Sequence, residues 1–235
     1  MRRHSKKNPW RNTRNDFQMP WKKIYGAMMI ISMPIMLLTL APNIILRSGA
    51  FYSYFLSKTG VVKDIPYAIT MENVRDTFSS YMWHGMKVFN LREQEGYMPQ
   101  WVFTNEDNII MNNIRTWVDI LAVICILSAV LLVIAIFKLY NAKKKEFLLS
   151  QFKGSLILSG ICMILGNCLV LIQPVRAAIF QGRFGTEFPP GDVLIQIFQA
   201  GFPIYFGIGC IVVTIIAAGG ITYLMNKFVA SRNLF

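Results

Sequence analysis

A chain of 235 residues that is 54% hydrophobic and only 15% charged is too apolar for an ordinary soluble domain. Its formal net charge of +12, from 24 Lys and Arg against 12 Asp and Glu, is distributed unevenly along the chain. Together these values exclude the common soluble classes and predict an integral membrane protein.

Four apolar runs are long enough to cross ~30 Å of hydrocarbon. The expected order is a basic tail over 1–23, a first span over 24–46 and a long loop over 47–114. A second span over 115–140, a short loop over 141–153 and a third span over 154–175 follow. A second outer loop over 176–201, a fourth span over 202–226 and a tail over 227–235 complete the chain. The first run is too long for a cleavable signal and has no small-residue cleavage site behind it, so it reads as a retained anchor.

Charge orients the spans. The two tails and the segment 138–153 hold 15 of the 24 basic residues and only two acids, Asp16 and Glu146. The remaining loops hold 9 basic residues and 10 acids. This is the positive-inside pattern, which places both termini in the cytoplasm and the chain in the cytoplasmic membrane as a multi-pass protein. The basic tail is therefore read as a topology signal with some attraction for anionic lipid, not as a nucleic-acid site.

Within the first span, Pro42 and Asn43 near the outer end predict a proline bend or early unwinding. The outer loop opens on the aromatic cluster Phe51, Tyr52, Tyr54 and Phe55. Thr70 reads as a helix N-cap with Glu72 in the first turn. Val74, Phe78 and Tyr81 or Met82 recur at helical spacing, so 70–83 is expected to be an amphipathic helix. Such a helix either lies flat on the outer leaflet or packs on the bundle.

The stretch 103–119, FTNEDNIIMNNIRTWVD, turns from loop into membrane helix. Arg115 and Asp119 stand four residues apart on one helical face, which predicts an interfacial ion pair between them. Cys125, Cys162, Cys168 and Cys210 all fall within spans, so neither a disulfide framework nor a metal site is expected, and no cofactor motif is present. Asn167 and Gln173 in the third span are expected to cross-link helices by hydrogen bonding. Cys210, Thr214 and Ala218 in the last span form a small-residue stripe suited to close packing.

Several local stretches resemble one family. Phe51-Tyr52 with Tyr54 is similar to its aromatic start after the first span. Tyr81-Met82 followed by Gly85 is similar to its YL-and-glycine segment. Phe103-Thr104 through Arg115 is similar to its F-S/T-x-R-E-x-x-H-M-x-D-V-K motif. Gly191-Asp192-Val193-Leu194-Ile195 followed by Phe202 is similar to its acid-x-L-I stretch before the last span. With four spans, both ends inside and one large first outer loop, the chain resembles the bacterial lipoprotein intramolecular transacylases over nearly its whole length. The resemblance implies an all-α membrane fold of four transmembrane helices with an extracytoplasmic loop layer.

The resemblance also implies a chemistry. Members of that family move an acyl chain from the diacylglyceryl group of a lipoprotein to the amino group of its N-terminal cysteine. This needs a base for the amine and a donor for the oxyanion. The chain departs from the motif at the base: Ile110 stands at the family's histidine, Asn113 at its aspartate, Arg115 at its lysine and Glu106-Asp107 at its Arg-Glu. The second family histidine, expected after the third span, is replaced by the text Phe180-Gln181. Only His84 is on the outer side, so the candidate base is His84 or an acid among Glu106, Asp107 and Asp119. Candidates for holding substrate are Arg115, Arg176 and Asn43. The alternative is a non-catalytic relative that binds membrane lipid, a lipoprotein or another membrane protein.

Overall fold

The computed structural model describes residues 19–65, 69–91, 102–143, 145–171, 193–199 and 201–230, which are helical with no strand among them. The extreme tails, Gln173, Arg176 and most of the loop expected over 176–201 lie outside the described residues. The four longest helices are α1 (Met19–Arg47), α4 (Asn105–Asn141), α5 (Lys145–Leu171) and α7 (Phe202–Met225). All four are long and apolar enough to cross a membrane. The chain is an all-α multi-pass membrane protein.

The first span is the central one: α1 packs against each of α4, α5 and α7. It stays helical through Pro34 and Pro42 to Arg47, so the expected unwinding near Asn43 does not occur. Polar side chains bond back to the helix at this point. Thr39 Oγ1 donates to the carbonyls of Ile35 at 2.7 Å and Met36 at 3.1 Å, and Asn43 Nδ2 donates to the carbonyl of Thr39 at 3.0 Å. In hydrocarbon, where water cannot serve as partner, such bonds keep polar groups satisfied inside the helix.

The last span reaches its neighbours through glycine. A Cβ on Gly209 would lie 2.9 Å from Ile45 Cδ1, and one on Gly207 would lie 2.7 Å from Asn167 Oδ1, so a larger residue at either position requires the Ile45 or Asn167 side chain to move aside. Cys210 and Thr214 of the expected stripe are buried in this packing. Asn167 differs from expectation: its Nδ2 donates to the carbonyl of Met163 in its own helix at 2.9 Å, because the carbonyl one turn back is the nearest acceptor in apolar surroundings. The side chains that α4 and α7 turn outward, among them Ile126, Val133, Ile215 and Ile216, are exposed and suit a lipid surrounding rather than water.

At one end of the bundle sits a helical layer. The segment after Arg47 forms α2 (Gly49–Thr59), capped by Ser48, whose Oγ accepts from Phe51 N at 3.3 Å, and closed by Gly60 at φ 64°. A 3-10 turn, Val61–Asp64, follows. The expected amphipathic helix is α3 (Met71–Met82), with Thr70 capping Asn73 N at 3.2 Å and Glu72 in its first turn. Val74, Phe78, Tyr81 and Met82 are buried, and α3 packs on α2 and α1. Its apolar face is thus covered by protein rather than laid on lipid. Edge-on ring contacts tie the layer together: Phe78 stands 5.0 Å from Phe89, and Phe51 of α2 stands 5.7 Å from Phe202 at the start of α7. The short helix α6 (Val193–Gln199) adds Val193, Leu194 and Ile197 to the same core.

Candidate functional site

Three chain segments far apart in sequence meet where α1 ends, α3 ends and α4 enters its apolar run. Each is placed by ordinary local chemistry. Helix α4 starts on a reciprocal cap: Thr104 Oγ1 accepts from Asp107 N at 3.2 Å, and Thr104 N donates to Asp107 Oδ2 at 2.9 Å. From that start, roughly four helical turns carry the chain to Asp119. Helix α1 delivers Arg47 as its last residue, where the helix dipole favours a cation.

Helix α3 ends in a paired turn. His84 N donates to the carbonyl of Tyr81 at 3.1 Å, and Gly85 N donates to that of Ser80 at 2.8 Å. This is the two-bond C-terminal motif in which the residue after the cap is left-handed and usually glycine. Here that residue is His84, at φ 60°. A non-glycine residue in this region costs ~1–3 kcal/mol and persists only where its surroundings hold it. The glycine comes one position later, where a Cβ would sit 3.2 Å from the Ser80 carbonyl oxygen.

The turn aims His84 at the acid. His84 Nε2 lies 2.9 Å from Asp119 Oδ2, and Arg47 Nη2 lies 2.6 Å from Asp119 Oδ1. Side-chain exposure falls from 56% at His84 through 37% at Asp119 to 16% at Arg47, so the triad runs from the surface inward. Arg47 also receives the end of α3. Its carbonyl oxygen accepts from Trp83 Nε1 at 2.9 Å and from Ser79 Oγ at 3.3 Å, and its guanidinium lies 5.0 Å from the Trp83 ring centre.

The expected Arg115–Asp119 pair does not form. Arg115 turns to the other side of the turn, where Nη1 donates to the Met86 carbonyl at 3.2 Å and Nη2 to Asn112 Oδ1 at 3.4 Å. Its guanidinium lies 4.3 Å from the Tyr81 ring centre. Burial pushes the Tyr81 hydroxyl above the usual tyrosine range, and the Arg115 charge partly offsets that. An arginine preceding an acid by four residues is the weaker order for a helical pair. The mostly buried Arg47 offers Asp119 a better partner.

The other expected site residues are elsewhere. Asp107 is 1% exposed and engaged in the α4 cap, while Glu106 beside it is exposed on the first turn. Ile110, at the position of the family motif's histidine, is 2% exposed in the apolar core. Asn43 lies one turn before Arg47 on α1, and its Oδ1 is buried with no hydrogen-bond partner among the described residues. Among the described residues no three His, Cys, Asp or Glu converge in a metal-binding group. Sequence reasoning missed Arg47. Its one signal is a basic residue that closes an apolar run at the end opposite the basic tail.

The chemistry of the triad follows from its donors. A carboxylate can only accept, so a neutral imidazole that bonds to Asp119 through Nε2 donates from that nitrogen and presents the lone pair of Nδ1. That arrangement suits a general base oriented by an acid, with the acid in turn held by a guanidinium.

Fold and site together define an all-α membrane protein of four spanning helices, capped at one end by a helical layer that brings a histidine onto an acid. Its fold is similar to that of the membrane integral lipoprotein intramolecular transacylase Lit from Bacillus cereus. One Lit structure, of a histidine-to-alanine mutant, superposes with a TM-score of 0.68 at 11% identity, covering 93% of this chain and 98% of that one. Another gives 0.61 at 13% identity over 88% and 97% of the two chains. A histidine-to-arginine mutant gives 0.61 at 13% identity over 93% and 98%. At these identities the likeness is one of fold. No protein-family model matches the chain, and no curated protein matches its sequence.

Proposed function

We propose that the chain transfers an acyl group within a membrane-anchored lipoprotein, with His84 as general base and Asp119 as the acid that orients it. The observation that carries this reading is the 2.9 Å contact between His84 Nε2 and Asp119 Oδ2 at the end of a membrane bundle. In the reaction, His84 Nδ1 takes a proton from the N-terminal amine as its nitrogen attacks a glyceryl ester carbonyl. The nitrogen–carbon bond forms, the ester carbon–oxygen bond breaks, and the proton passes from His84 to the leaving glyceryl oxygen. Glu106 and Asp107 take no part: one sits on the open first turn of α4, and the other is built into its cap.

The reading includes an orientation. The charge bias of the loops supports both termini in the cytoplasm and the site at the outer face of the cytoplasmic membrane. There the substrate diffuses to the site within the outer leaflet, so that its ester linkages arrive at the depth of the triad.

The transfer leaves the lipoprotein's mass unchanged, because the acyl group only changes position. The test is therefore fragmentation mass spectrometry of lipoprotein N-termini from cells with and without this gene. N-acyl cysteine fragments in cells with the gene, and free-amine fragments in cells without it, support the reading. Free-amine fragments in both refute it.

A second reading, a non-catalytic relative that binds lipoprotein or lipid, is favoured by Ile110, an apolar core residue at the family's histidine position. Retention of diacylated lipopeptide by the purified chain without N-acyl product selects it.

A further inference from the structure

We propose that Arg47 and Arg115 are positioning residues that clamp the 81–86 turn from two different spans and so hold the His84 imidazole on Asp119. His84 is left-handed and more than half exposed, and the two backbone bonds that close its helix fix the turn but not the imidazole. Support comes from either side. Before His84, the Arg47 guanidinium stacks on Trp83 at 5.0 Å while its carbonyl takes the Trp83 indole N–H at 2.9 Å. Flanking the turn, Arg115 stacks on Tyr81 at 4.3 Å and reaches past His84 to the Met86 carbonyl at 3.2 Å.

Arg47 also grips the acid, at 2.6 Å from Asp119 Oδ1, so one residue sets both members of the dyad. Arg115 sets only the histidine side. Both roles need a flat cation that stacks on a ring and donates N–H bonds at the same time, which arginine provides and lysine does not. A dyad assembled in this way exists only while the end of α3 is docked on α1 and α4 together. The kinetic part of this inference rests on the acyl-transfer reading, whereas the geometric part does not.

The test uses the full chain in lipid nanodiscs with His4→Gln, which leaves His84 as the one histidine. With 15N-labelled histidine, the Nε2–H proton held by Asp119 gives a downfield, hydrogen-bonded resonance. The clamp predicts its loss in Arg47→Gln and Arg115→Gln, and broadening in Trp83→Phe, which deletes one N–H at an exposed residue and leaves the spans intact. Arg47→Lys and Arg115→Lys should fail to restore it. On a diacylated lipopeptide, kcat of Arg115→Gln and Trp83→Phe should fall ~10–100-fold with KM within ~2-fold, as for misplacement of a base rather than lost binding.

A hydrogen-bonded resonance that persists in Arg115→Gln and stays sharp in Trp83→Phe overturns the clamp, as does its absence from the parent chain. A resonance lost in the variants while no form of the chain transfers acyl groups upholds the clamp and refutes the acyl-transfer reading alone.

Discussion

His84 combines a conformational cost with a candidate chemical role, and the two can be separated by substitution. Its left-handed backbone at φ 60° closes α3 in a position where glycine is the usual residue. Replacing His84 with glycine removes that strain and the imidazole together. We expect His84→Gly to match or exceed the wild type in thermal stability, by up to ~1 kcal/mol once the greater freedom of the unfolded glycine is counted. Acyl transfer should be lost in the same variant. A marked fall in melting temperature would assign His84 to the fold instead. The sequence marked this residue through its location, as the one histidine outside the N-terminal tail, but its partner was ambiguous among three acids. Arg47 was not legible at all, because its ion pair joins residues 72 positions apart and no local spacing reports such a contact.

Helix ends account for most of what the layer does. The Thr70 cap and the Val74–Phe78–Met82 spacing made α3 readable, and the structure places the helix within a residue of the expected ends. The signals for α2 were also in the text, with Ser48 before it and Gly60 after it. Phe51, Tyr52, Phe55 and Leu56 are buried on one face at helical spacing, but the exposed Tyr54 inside the aromatic run obscured that pattern in the sequence. At the start of α4 the same type of signal explains why Asp107 is engaged in the helix cap. Thr104→Ala should cost ~1 kcal/mol in thermal or denaturant unfolding while leaving the transfer rate within ~2-fold, because the cap is remote from the dyad. A large loss of rate at unchanged stability would return Asp107 to the site.

The same layer has an alkaline weak point. Burial raises Tyr52 well above the ordinary tyrosine value, and its hydroxyl donates to the Leu46 carbonyl at 2.9 Å. Because the folded value is the higher one, its contribution is complete below about pH 10 and is lost as pH rises further. Tyr52→Phe, read by unfolding at pH 8 and pH 11, should be ~1 kcal/mol less stable at the lower pH and lose less on going to the higher.

For the whole molecule, the four spans were legible because an uninterrupted apolar run of sufficient length has few alternatives to crossing the bilayer. The packing was less legible. That α1 lies at the centre depends on which apolar faces meet, and α4 and α7 carry apolar side chains on all sides. Orientation is a separate claim and has its own test. A cysteine at Ser57, exposed near the end of α2, should react with an impermeant thiol reagent in intact cells. Cysteines at Ser5 or Ser231 should react only after lysis, and labelling of either terminus in intact cells would invert the topology.

The most direct measurement takes the purified chain, its His84→Gln variant and a synthetic lipopeptide with a diacylglyceryl cysteine and a free amine. Fragmentation mass spectrometry then follows where the acyl group resides over time. The account predicts N-acyl product from the wild type and a rate reduced ~100-fold or more in His84→Gln. No product from the wild type, or equal rates from both chains, would contradict it.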